Sequence, residues 1–299
     1  MVWCSGWRLA AAVSNAGGLG IIGAGSMYPE VLLEHIQKFK KASSQPFAVN
    51  LPLLYPQIEE HIATILNEKV PIVFTSAGNP GIWTEKLKEN GVIVVHVVSS
   101  SKFAQKAEKC GVDAIVAEGF EAGGHNGREE TTTFCLIPEV CASVKIPVIA
   151  AGGIGSGAQM LAAFCLGAEG VQIGSRFATS EESSAHLNFK QAVIDAGEGN
   201  TELTLKELTP VRLLKNQFYH QVNQAYEAGA STEELKNLLG RGRAKKGMFE
   251  GNMDDGELEI GQISASIHKI QPAAEILDEI RDEFIALKNN LAQNPNFNF

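Results

Sequence analysis

The stretch Pro147-Val-Ile-Ala-Ala-Gly-Gly-Ile154 decides the fold, because it joins a short apolar run directly to two glycines. An apolar run without polar alternation is typical of a strand that is buried on both faces. Such strands form parallel sheets covered by helices, and the loops at their carboxyl ends carry the functional groups. The stretch therefore predicts an α/β protein with a site at this end of the sheet.

Six further apolar runs lie on either side of this stretch, and helical segments separate them. In chain order they are Gly20–Gly23, Phe47–Asn50, Pro71–Ser76, Val92–Val98, Ala114–Ala117 and Gly170–Gly174. Doubly wound sheets and eight-stranded barrels both fit this alternation. Seven units of near-even spacing, preceded by a helix over Leu9–Asn15, favour a TIM (β/α)8 barrel that lacks one strand. We expect the first strand to lie upstream of Met1, which would leave an unpaired edge in the sheet.

The alternation of strands and helices stops after Phe177. Residues 200–258 are predicted to form helices and loops without a strand. Residues 259–299 are predicted to form a closing barrel helix, with a break at Pro272, and a tail. We therefore divide the chain into a barrel domain over 1–199, a helical cap with the substrate region over 200–258, and the closing helix and tail over 259–299.

Composition limits the classes of protein to which this chain can belong. A length of 299 residues with a hydrophobic content of 44% predicts a soluble globular protein. The sequence has no long apolar segment and no secretion signal, which predicts a cytoplasmic protein without a membrane partner. The net charge of −9 disfavours nucleic acid as a partner. Five cysteines without a C-x-x-C pair predict reduced thiols, mostly in the core, and no zinc site.

Glycines follow several strands, but they do not all predict the same feature. Gly18-Leu-Gly20-Ile-Ile-Gly23 matches a dinucleotide-binding pattern, yet it follows a helix, so a helix-to-strand turn is the better interpretation. The candidates for phosphate binding follow the last two strands. They are Gly152, Gly153, Gly174 and Ser175. With the missing strand counted, these loops follow strands seven and eight, where barrels commonly bind phosphate.

The segment Glu118-Gly-Phe-Glu-Ala-Gly-Gly-His125 places a histidine behind two glycines at the same rim. Gly123 and Gly124 allow backbone to approach a flat ligand, and His125 could transfer a proton near neutral pH. His96, inside a strand, is the nearest alternative, although a core or rim histidine is the simpler interpretation. The other histidines lie in polar helical or irregular segments and are predicted at the surface: His35, His61, His186, His220 and His268.

Three polar residues end strands at this rim, namely Asn50, Ser76 and Glu118. Their short side chains could contact the edge of a heterocyclic ligand, but Asn and Ser also simply form turns. No His, Asp or Glu cluster has the spacing of metal ligands. Metal-free chemistry on a phosphate-bearing cofactor is the class of reaction that remains.

Four ordered motifs resemble the FMN barrel family of nitronate monooxygenases (2-nitropropane dioxygenases) and the flavin-type enoyl-acyl-carrier-protein reductase II. They are Ala12-Val-Ser-Asn-Ala-Gly-Gly-Leu-Gly20, Glu121-Ala-Gly-Gly-His125, Ile149-Ala-Ala-Gly-Gly-Ile154 and Gly170-Val-Gln-Ile-Gly-Ser-Arg-Phe177. The resemblance covers essentially the whole chain. It implies FMN as the cofactor and a catalytic role for His125. The implied phosphate ligands are Gly152, Gly153, Gly174 and Ser175, and the implied flavin-ring contacts are Asn50, Glu118, Gly123 and Gly124. The family's usual opening strand would end at Met1 and line the ring.

The motifs Leu19–Gly25, Ser76–Pro80 and Val116–Gly119 are more similar to the enoyl reductase branch. That branch implies NADPH or NADH as electron donor, a small-molecule or acyl-carrier-protein-bound enoyl thioester as substrate, and a homodimer. Nitronate oxidation by dioxygen and NAD(P)H-dependent quinone reduction are the alternatives. The basic run Arg241–Lys246 is either a solvated turn or a docking surface for the carrier protein or a nicotinamide phosphate.

Overall fold

The chain is described from a computed structural model that covers residues 1–294, so the last five residues of the predicted tail lie outside it. The ten strands of the described chain are β1 Gly20–Gly23, β2 Phe47–Pro52, β3 Ile72–Ser76, β4 Ile93–Val98, β5 Ala114–Glu118, β6 Gly124–His125, β7 Val148–Ala151, β8 Gly170–Gln172, β9 Thr201–Thr204 and β10 Val211–Leu214. Seven of them form one parallel sheet in the order β1-β2-β3-β4-β5-β7-β8. All seven predicted strands are therefore confirmed.

Helices cover the outside of this sheet. In chain order they are α1 Trp7–Asn15, α2 Pro29–Ala42, α3 Ile58–Asn67, α4 Thr84–Glu89, α5 Ser101–Lys109, α6 Thr133–Ser143, α7 Gly157–Cys165, α8 Ser175–Ala178, α9 Leu187–Ile194, α10 Gln217–Glu227, α11 Thr232–Leu239 and α12 Ala273–Gln293. The two faces of the sheet bury different side chains. Ala48, Phe74 and Val116 fill the inside of the curled sheet, whereas Val49 and Val73 pack against the helices. This double burial explains the near-continuous apolar runs.

The sheet is TIM-barrel-like but open. Within residues 1–294, β1 and β8 are its two edges and do not pair with each other, which confirms the predicted unpaired edge. The segment of residues 1–6 lies beside this opening. Ser5 O accepts a hydrogen bond from Gly23 N at 2.9 Å, and Cys4 O accepts one from Ser183 Oγ at 3.0 Å.

The closing helix α12 begins directly after Pro272, and residues 259–272 before it contain no α-helix. It packs between α7 and α1 on the outside of the sheet. The contact with α7 is close at Gly157, where a Cβ would lie 2.5 Å from Ile280 O. Glu283 Oε2 also accepts a hydrogen bond of 2.7 Å from Gly157 N. Helix α12 thus joins the ends of the helical layer.

The prediction of a cap without strands over residues 200–258 is wrong. This region contributes β9 and β10, which form an antiparallel sheet with β6 in the order β6-β10-β9. Each strand has only two to four residues, too few to show a period in the sequence, and pairing within the cap stabilises them. The helices α10 and α11 pack on this sheet through a separate apolar cluster. The cap is therefore a mixed α/β layer that holds β6 in place.

Two further expectations about side chains need correction. Of the five cysteines, only Cys4 is buried, while Cys135 and Cys165 are exposed, because both lie on outward parts of barrel helices. His61 is not at the surface: it is completely buried, and its ring nitrogens lie 2.9 Å from Gln57 O and 3.0 Å from Met27 O. The polar helical sequence around His61 gave no indication of this burial, in which two backbone carbonyls contact the ring.

Candidate active site

Three of the predicted site residues face the inside of the barrel at the carboxyl rim of the sheet. Asn50 and Glu118 lie two residues beyond Ala48 and Val116, whose side chains fill the interior, and alternate residues of a strand share a face. Ser76 has the same relation to Phe74. The structure therefore brings the three polar strand ends together on one face, as the sequence predicted.

Gln172 belongs to the same rim, and the sequence analysis did not single it out. Glu118 pairs with Ala151, and Ala151 pairs with Gln172, so these three residues form one row across β5, β7 and β8. The position of Gln172 within the quoted motif after Gly170 was the available signal. An amide at this place adds a donor and an acceptor to the row that contains Glu118, with Ala151 between the two residues.

Asn50 is almost fully buried and is held rigidly. Its Nδ2 donates to Phe74 O at 3.1 Å, and its Oδ1 accepts a hydrogen bond of 2.9 Å from the amino group of Met1. The hydroxyl of Ser76 lies 3.5 Å from the same Nδ2. Met1, Asn50 and Ser76 are therefore connected at one side of the rim.

Glu118 has an unusual electrostatic environment for a carboxyl group. No hydrogen bond to its side chain is formed by residues 1–294. Burial raises its pKa from 4.5 to about 7, and the nearby amino group of Met1 offsets only part of this shift. Near neutral pH the carboxyl group can therefore act both as donor and as acceptor toward a ligand.

The raised pKa of Glu118 predicts a stability difference that depends on pH. Between pH 4.5 and about 7 the folded chain holds a proton that the unfolded chain has lost, so this residue lowers stability as pH rises through that window. We expect E118Q, without FMN, to match the wild type at pH 4 and to be roughly 1–2 kcal/mol more stable at pH 8, after discounting for solvent screening. Thermal unfolding at both pH values measures this, and a less stable E118Q at pH 8 would contradict it.

Glu121 connects the loop after β5 to the start of helix α6 through hydrogen bonds. Its carboxylate accepts hydrogen bonds from Thr133 N at 2.9 Å and Thr133 Oγ1 at 2.8 Å, at the first turn of α6. The Thr133 hydroxyl also lies 2.9 Å from Gly152 O. Glu121 was quoted in the sequence motif without a role. It links the loop that precedes His125 to the loop that follows β7.

Different structural constraints act on the glycines that follow β7 and β8. Gly152 and Gly153 have φ angles of +91° and +67°, and a Cβ on Gly152 would lie 2.8 Å from Gly119 O, so the protein's own backbone demands both. Gly174 has an ordinary φ of −100°, and a Cβ there would meet nothing within 4 Å. Neither the backbone conformation nor the packing of neighbouring residues requires a glycine at position 174. The open space next to Gly174 therefore fits a ligand that binds close to the backbone.

Ser175, which follows Gly174, is already engaged within the chain. Its Oγ accepts a hydrogen bond of 3.0 Å from Gly261 N. This contact connects the loop after β8 to the segment that precedes α12. The hydroxyl can still donate its own proton to a ligand.

His125 lies exposed on the short strand β6, paired with Val211 of the cap. The two preceding glycines are both required. A Cβ on Gly123 would lie 2.3 Å from the carbonyl carbon of Ile260, and Gly124 has a φ of +78°. The two glycines therefore allow β6 to pass close to the segment around Ile260. The exposed imidazole of His125 follows directly after this close backbone contact.

His125 opens onto a cavity of about 300 Å3 between the barrel and the cap. Its walls are mainly apolar side chains. They include Val2, Trp3, Leu205, Leu208, Val211 and Leu239. Two acidic residues, Glu257 and Glu259, line the same cavity as His125, and the sequence analysis missed both. The alternation Glu257-Leu-Glu-Ile260 was the signal for an extended segment there.

His96 does not belong to this site. It lies on the helix-facing side of β4, where Thr75 Oγ1 lies 2.7 Å from its Nδ1. Burial lowers its pKa to about 4, so the ring stays neutral. The interpretation of His96 as a core histidine is confirmed.

The basic run Arg241–Lys246 is largely neutralised within the chain. Arg243 donates to the carbonyls of Leu238, Leu239 and Asp255 and stacks over a ring, so it is structural. Lys245 pairs with Glu250 at 3.0 Å, and Lys246 pairs with Asp255 at 2.7 Å. Residues Gly242–Lys245 of the run line the cavity, and Arg241 is exposed.

Among the described residues, no cluster of His, Cys, Asp and Glu could hold a metal ion. In the same part of the chain, no helix combines the length and apolar character of a membrane span.

Comparison with known proteins assigns this arrangement to a family. The family model described as nitronate monooxygenase matches residues 1–63 and 56–283. The chain belongs to the nitronate monooxygenase family. It is therefore an FMN-dependent oxidoreductase. A probable nitronate monooxygenase of Staphylococcus saprophyticus is 33% identical, with 85% of this chain and 84% of the relative covered.

Two solved structures of the family resemble the chain over nearly its full length. FabK from Thermotoga maritima is 40% identical with a TM-score of 0.91, covering 98% of this chain and 93% of its own. Nitroalkane oxidase from Streptomyces ansochromogenes is 25% identical with a TM-score of 0.82, covering 97% of this chain and 94% of its own. The chain therefore shares its barrel-like fold with both solved structures.

Proposed function

We propose that the chain is an NAD(P)H-dependent enoyl-thioester reductase that uses FMN, of the enoyl-acyl-carrier-protein reductase II type. The observation that carries this proposal is the greater similarity to FabK, at 40% identity, than to nitroalkane oxidase, at 25%. An apolar cavity beside an exposed histidine also suits an acyl chain next to a proton donor. The substrate is a thioester, either free or bound to a carrier protein.

The residues present fit FMN. Backbone at Gly152, Gly153 and Gly174, with the hydroxyl of Ser175, would hold the phosphate, because the space before Gly174 is open and the protein does not otherwise need a glycine there. The rim residues would contact the flavin ring: Met1, Asn50, Ser76, Glu118, Gly123 and Gly124. When bound, FMN supplies hydride transfer from the nicotinamide to the β-carbon of the enoyl thioester.

His125 has two tasks in this proposal. Its exposed imidazole carries the proton that the α-carbon of the thioester gains, and its ring N–H can bind the carbonyl oxygen before that step. The apolar walls around it orient the acyl chain and exclude water. Glu121 and the cap sheet fix the backbone from which the ring projects.

Nitronate oxidation is the second candidate, because the matching family model and the curated relative at 33% identity both bear that name. In that reaction His125 would remove a proton from the substrate or bind the nitro oxygens. The same cavity would hold the short alkyl chain. The two candidates therefore differ in the source of electrons for the flavin and not in the residue that moves the proton.

Anaerobic mixing distinguishes the candidates. FMN-loaded chain is mixed separately with NADPH, NADH and an alkyl nitronate, and the flavin absorbance is followed. We expect a nicotinamide to bleach the flavin rapidly and crotonyl thioester to restore its colour. Bleaching by the nitronate alone would overturn the reductase proposal, and restoration of the colour by a quinone but not by the thioester would overturn the substrate assignment.

A further inference from the structure

Helix α9 carries a buried lysine whose ammonium group lies among backbone carbonyls. Lys190 is only 6% exposed. Its Nζ donates hydrogen bonds to Ser180 O at 2.6 Å, to Ser183 O at 2.9 Å and to Glu181 O at 3.2 Å. All three acceptors belong to the segment of residues 179–186 that connects α8 to α9, which we call the α8–α9 loop. One ammonium group is therefore the common partner of three carbonyls from a single loop.

The number and kind of acceptors match a bound monovalent cation. An ammonium group has three N–H donors and no acceptor, which gives one donor for each carbonyl oxygen. A neutral amine would turn its lone pair toward one of these oxygens, so the arrangement suits the charged form. Burial lowers the pKa of Lys190, because desolvation disfavours the charge. Hydrogen bonds from the ammonium to the carbonyls oppose this effect, because bonds from a charged donor are stronger than neutral ones.

The α8–α9 loop also holds the segment of residues 1–6. Cys4 O accepts hydrogen bonds from Ser183 Oγ at 3.0 Å and from Ser184 N at 3.1 Å. Trp3 O accepts a third, of 2.8 Å, from Ser184 Oγ. Ser183 therefore binds on two sides, with its carbonyl on the ammonium of Lys190 and its hydroxyl on Cys4. The ammonium fixes the residue that holds this segment.

These contacts span the open edge of the sheet. The α8–α9 loop follows β8 through the short helix α8, whereas residues 1–6 contact β1, because Ser5 O accepts a hydrogen bond of 2.9 Å from Gly23 N. The loop also holds the start of α12, where Glu182 Oε2 accepts a hydrogen bond of 2.9 Å from Ala273 N. Strands β1 and β8 do not pair with each other within residues 1–294. The contacts around the ammonium therefore connect the two edges in place of a strand pairing.

Both sides of this connection carry residues of the candidate site. Gly174 and Ser175 lie at the start of α8, which leads directly into the α8–α9 loop. Val2 and Trp3, on the other side, line the same cavity as His125. A shift of the α8–α9 loop would therefore move the proposed phosphate site and one wall of the cavity together.

We propose that the carbonyls of Ser180, Glu181 and Ser183 form a monovalent-cation site that the ammonium of Lys190 fills, and that Lys190 thereby acts as a positioning residue for FMN. The class of ligand that suits the site is a small cation with N–H donors, such as the ammonium ion. The part of the inference that concerns FMN rests on the proposed placement of the phosphate at Gly174 and Ser175. The cation site itself does not depend on that placement.

The variant K190A tests the site, because it removes the ammonium and its methylene chain but leaves the three carbonyls. In sodium chloride we expect the thermal midpoint of the FMN-free variant to lie at least ~4 °C below that of the wild type, since hydrogen bonds of a buried charge are lost. Ammonium chloride at the same ionic strength should raise this midpoint with a saturable dependence on concentration, as a ligand of the folded state does. The wild type should not show this rise, because its own ammonium fills the site.

Two further variants serve as controls. K190M keeps most of the length of the side chain without the charge, so it should be destabilised but should not respond to ammonium. K88A removes an exposed lysine that also donates to a carbonyl, Gly111 O at 2.8 Å, and its midpoint should be the same in both salts. A midpoint of K190A that is equal in the two salts, or an equal rise in K190M, would overturn the cation site. If K190A is insoluble in sodium chloride, recovery of folded chain in ammonium chloride alone supports the site, and insolubility in both salts overturns it.

Titration with FMN, followed by the quenching of flavin fluorescence, tests the positioning role. We expect K190A to bind FMN about tenfold more weakly than the wild type in sodium chloride and within about threefold of it in ammonium chloride. Rescue of the thermal midpoint without any change in FMN affinity would overturn the positioning role. Failure of the chain to reduce any thioester would overturn the proposed function and leave both measurements interpretable.

Discussion

H125N is expected to slow the reoxidation of reduced flavin by crotonyl thioester at least ~100-fold, the usual contribution of a positioned proton donor. Asparagine can still bind the thioester carbonyl but cannot carry a proton. The side chain of His125 is exposed, and β6 pairs with Val211 through its backbone, so the substitution should leave the fold intact. Reduction of the flavin by the nicotinamide does not need this proton and should keep its rate.

The two half-reactions are measured separately by anaerobic stopped-flow absorbance. H268N serves as the control, because His268 is exposed and does not line the cavity. It should resemble the wild type in both half-reactions. A slowing of less than about threefold by H125N in the thioester step would mean that another group supplies the proton.

G174D is expected to weaken FMN binding by roughly 100-fold or more, since a carboxylate placed against a phosphate costs several kcal/mol and each ~1.4 kcal/mol is a factor of ten. Gly174 has an ordinary φ angle and open space around its Cβ position, so the variant should fold normally. The acidic side chain would then occupy the space that we assign to the phosphate. Titration with FMN, followed by the quenching of flavin fluorescence, measures the affinity.

G197D is the matched control for this change. Gly197 is also exposed, also lacks a positive φ angle, and would meet only Asn200 Oδ1 at 3.6 Å with a new Cβ. It therefore tolerates the same side chain outside the proposed site. If both variants bind FMN equally well, the phosphate lies elsewhere. If only G174D loses its flavin while its thermal unfolding matches that of G197D, the assignment of Gly174 stands.

The sequence predicted the barrel because its signal is local. Residues 94–98 of the run Val92–Val98 are buried or half-buried on both faces, and this burial leaves a continuous apolar pattern that needs no knowledge of the partner strand. The rim positions of Asn50, Glu118 and Gly174 followed from the same rule, because a residue that ends a parallel strand lies at the carboxyl edge of the sheet. That part of the site depends on position along a strand and could be predicted.

The cap could not be predicted in the same way. The strands β9 and β10 have four residues each, and they exist because they pair with each other and with β6. Glu259 pairs with Leu213 of β10, and Glu257 and Glu259 line the cavity, so their position is a tertiary property. The glycine at 123 was identified from the sequence, but the backbone that requires it, at Ile260, lies more than a hundred residues away. Non-local contacts of this kind leave no periodic pattern in the chain.

The most direct test of the account is a crystal structure of the chain with FMN bound. We predict electron density for the phosphate against the backbone of Gly153 and Gly174 and the hydroxyl of Ser175, for the flavin ring beside Asn50 and Glu118, and for the imidazole of His125 facing that ring. Phosphate density at any other loop, or His125 directed away from the ring, would contradict the account.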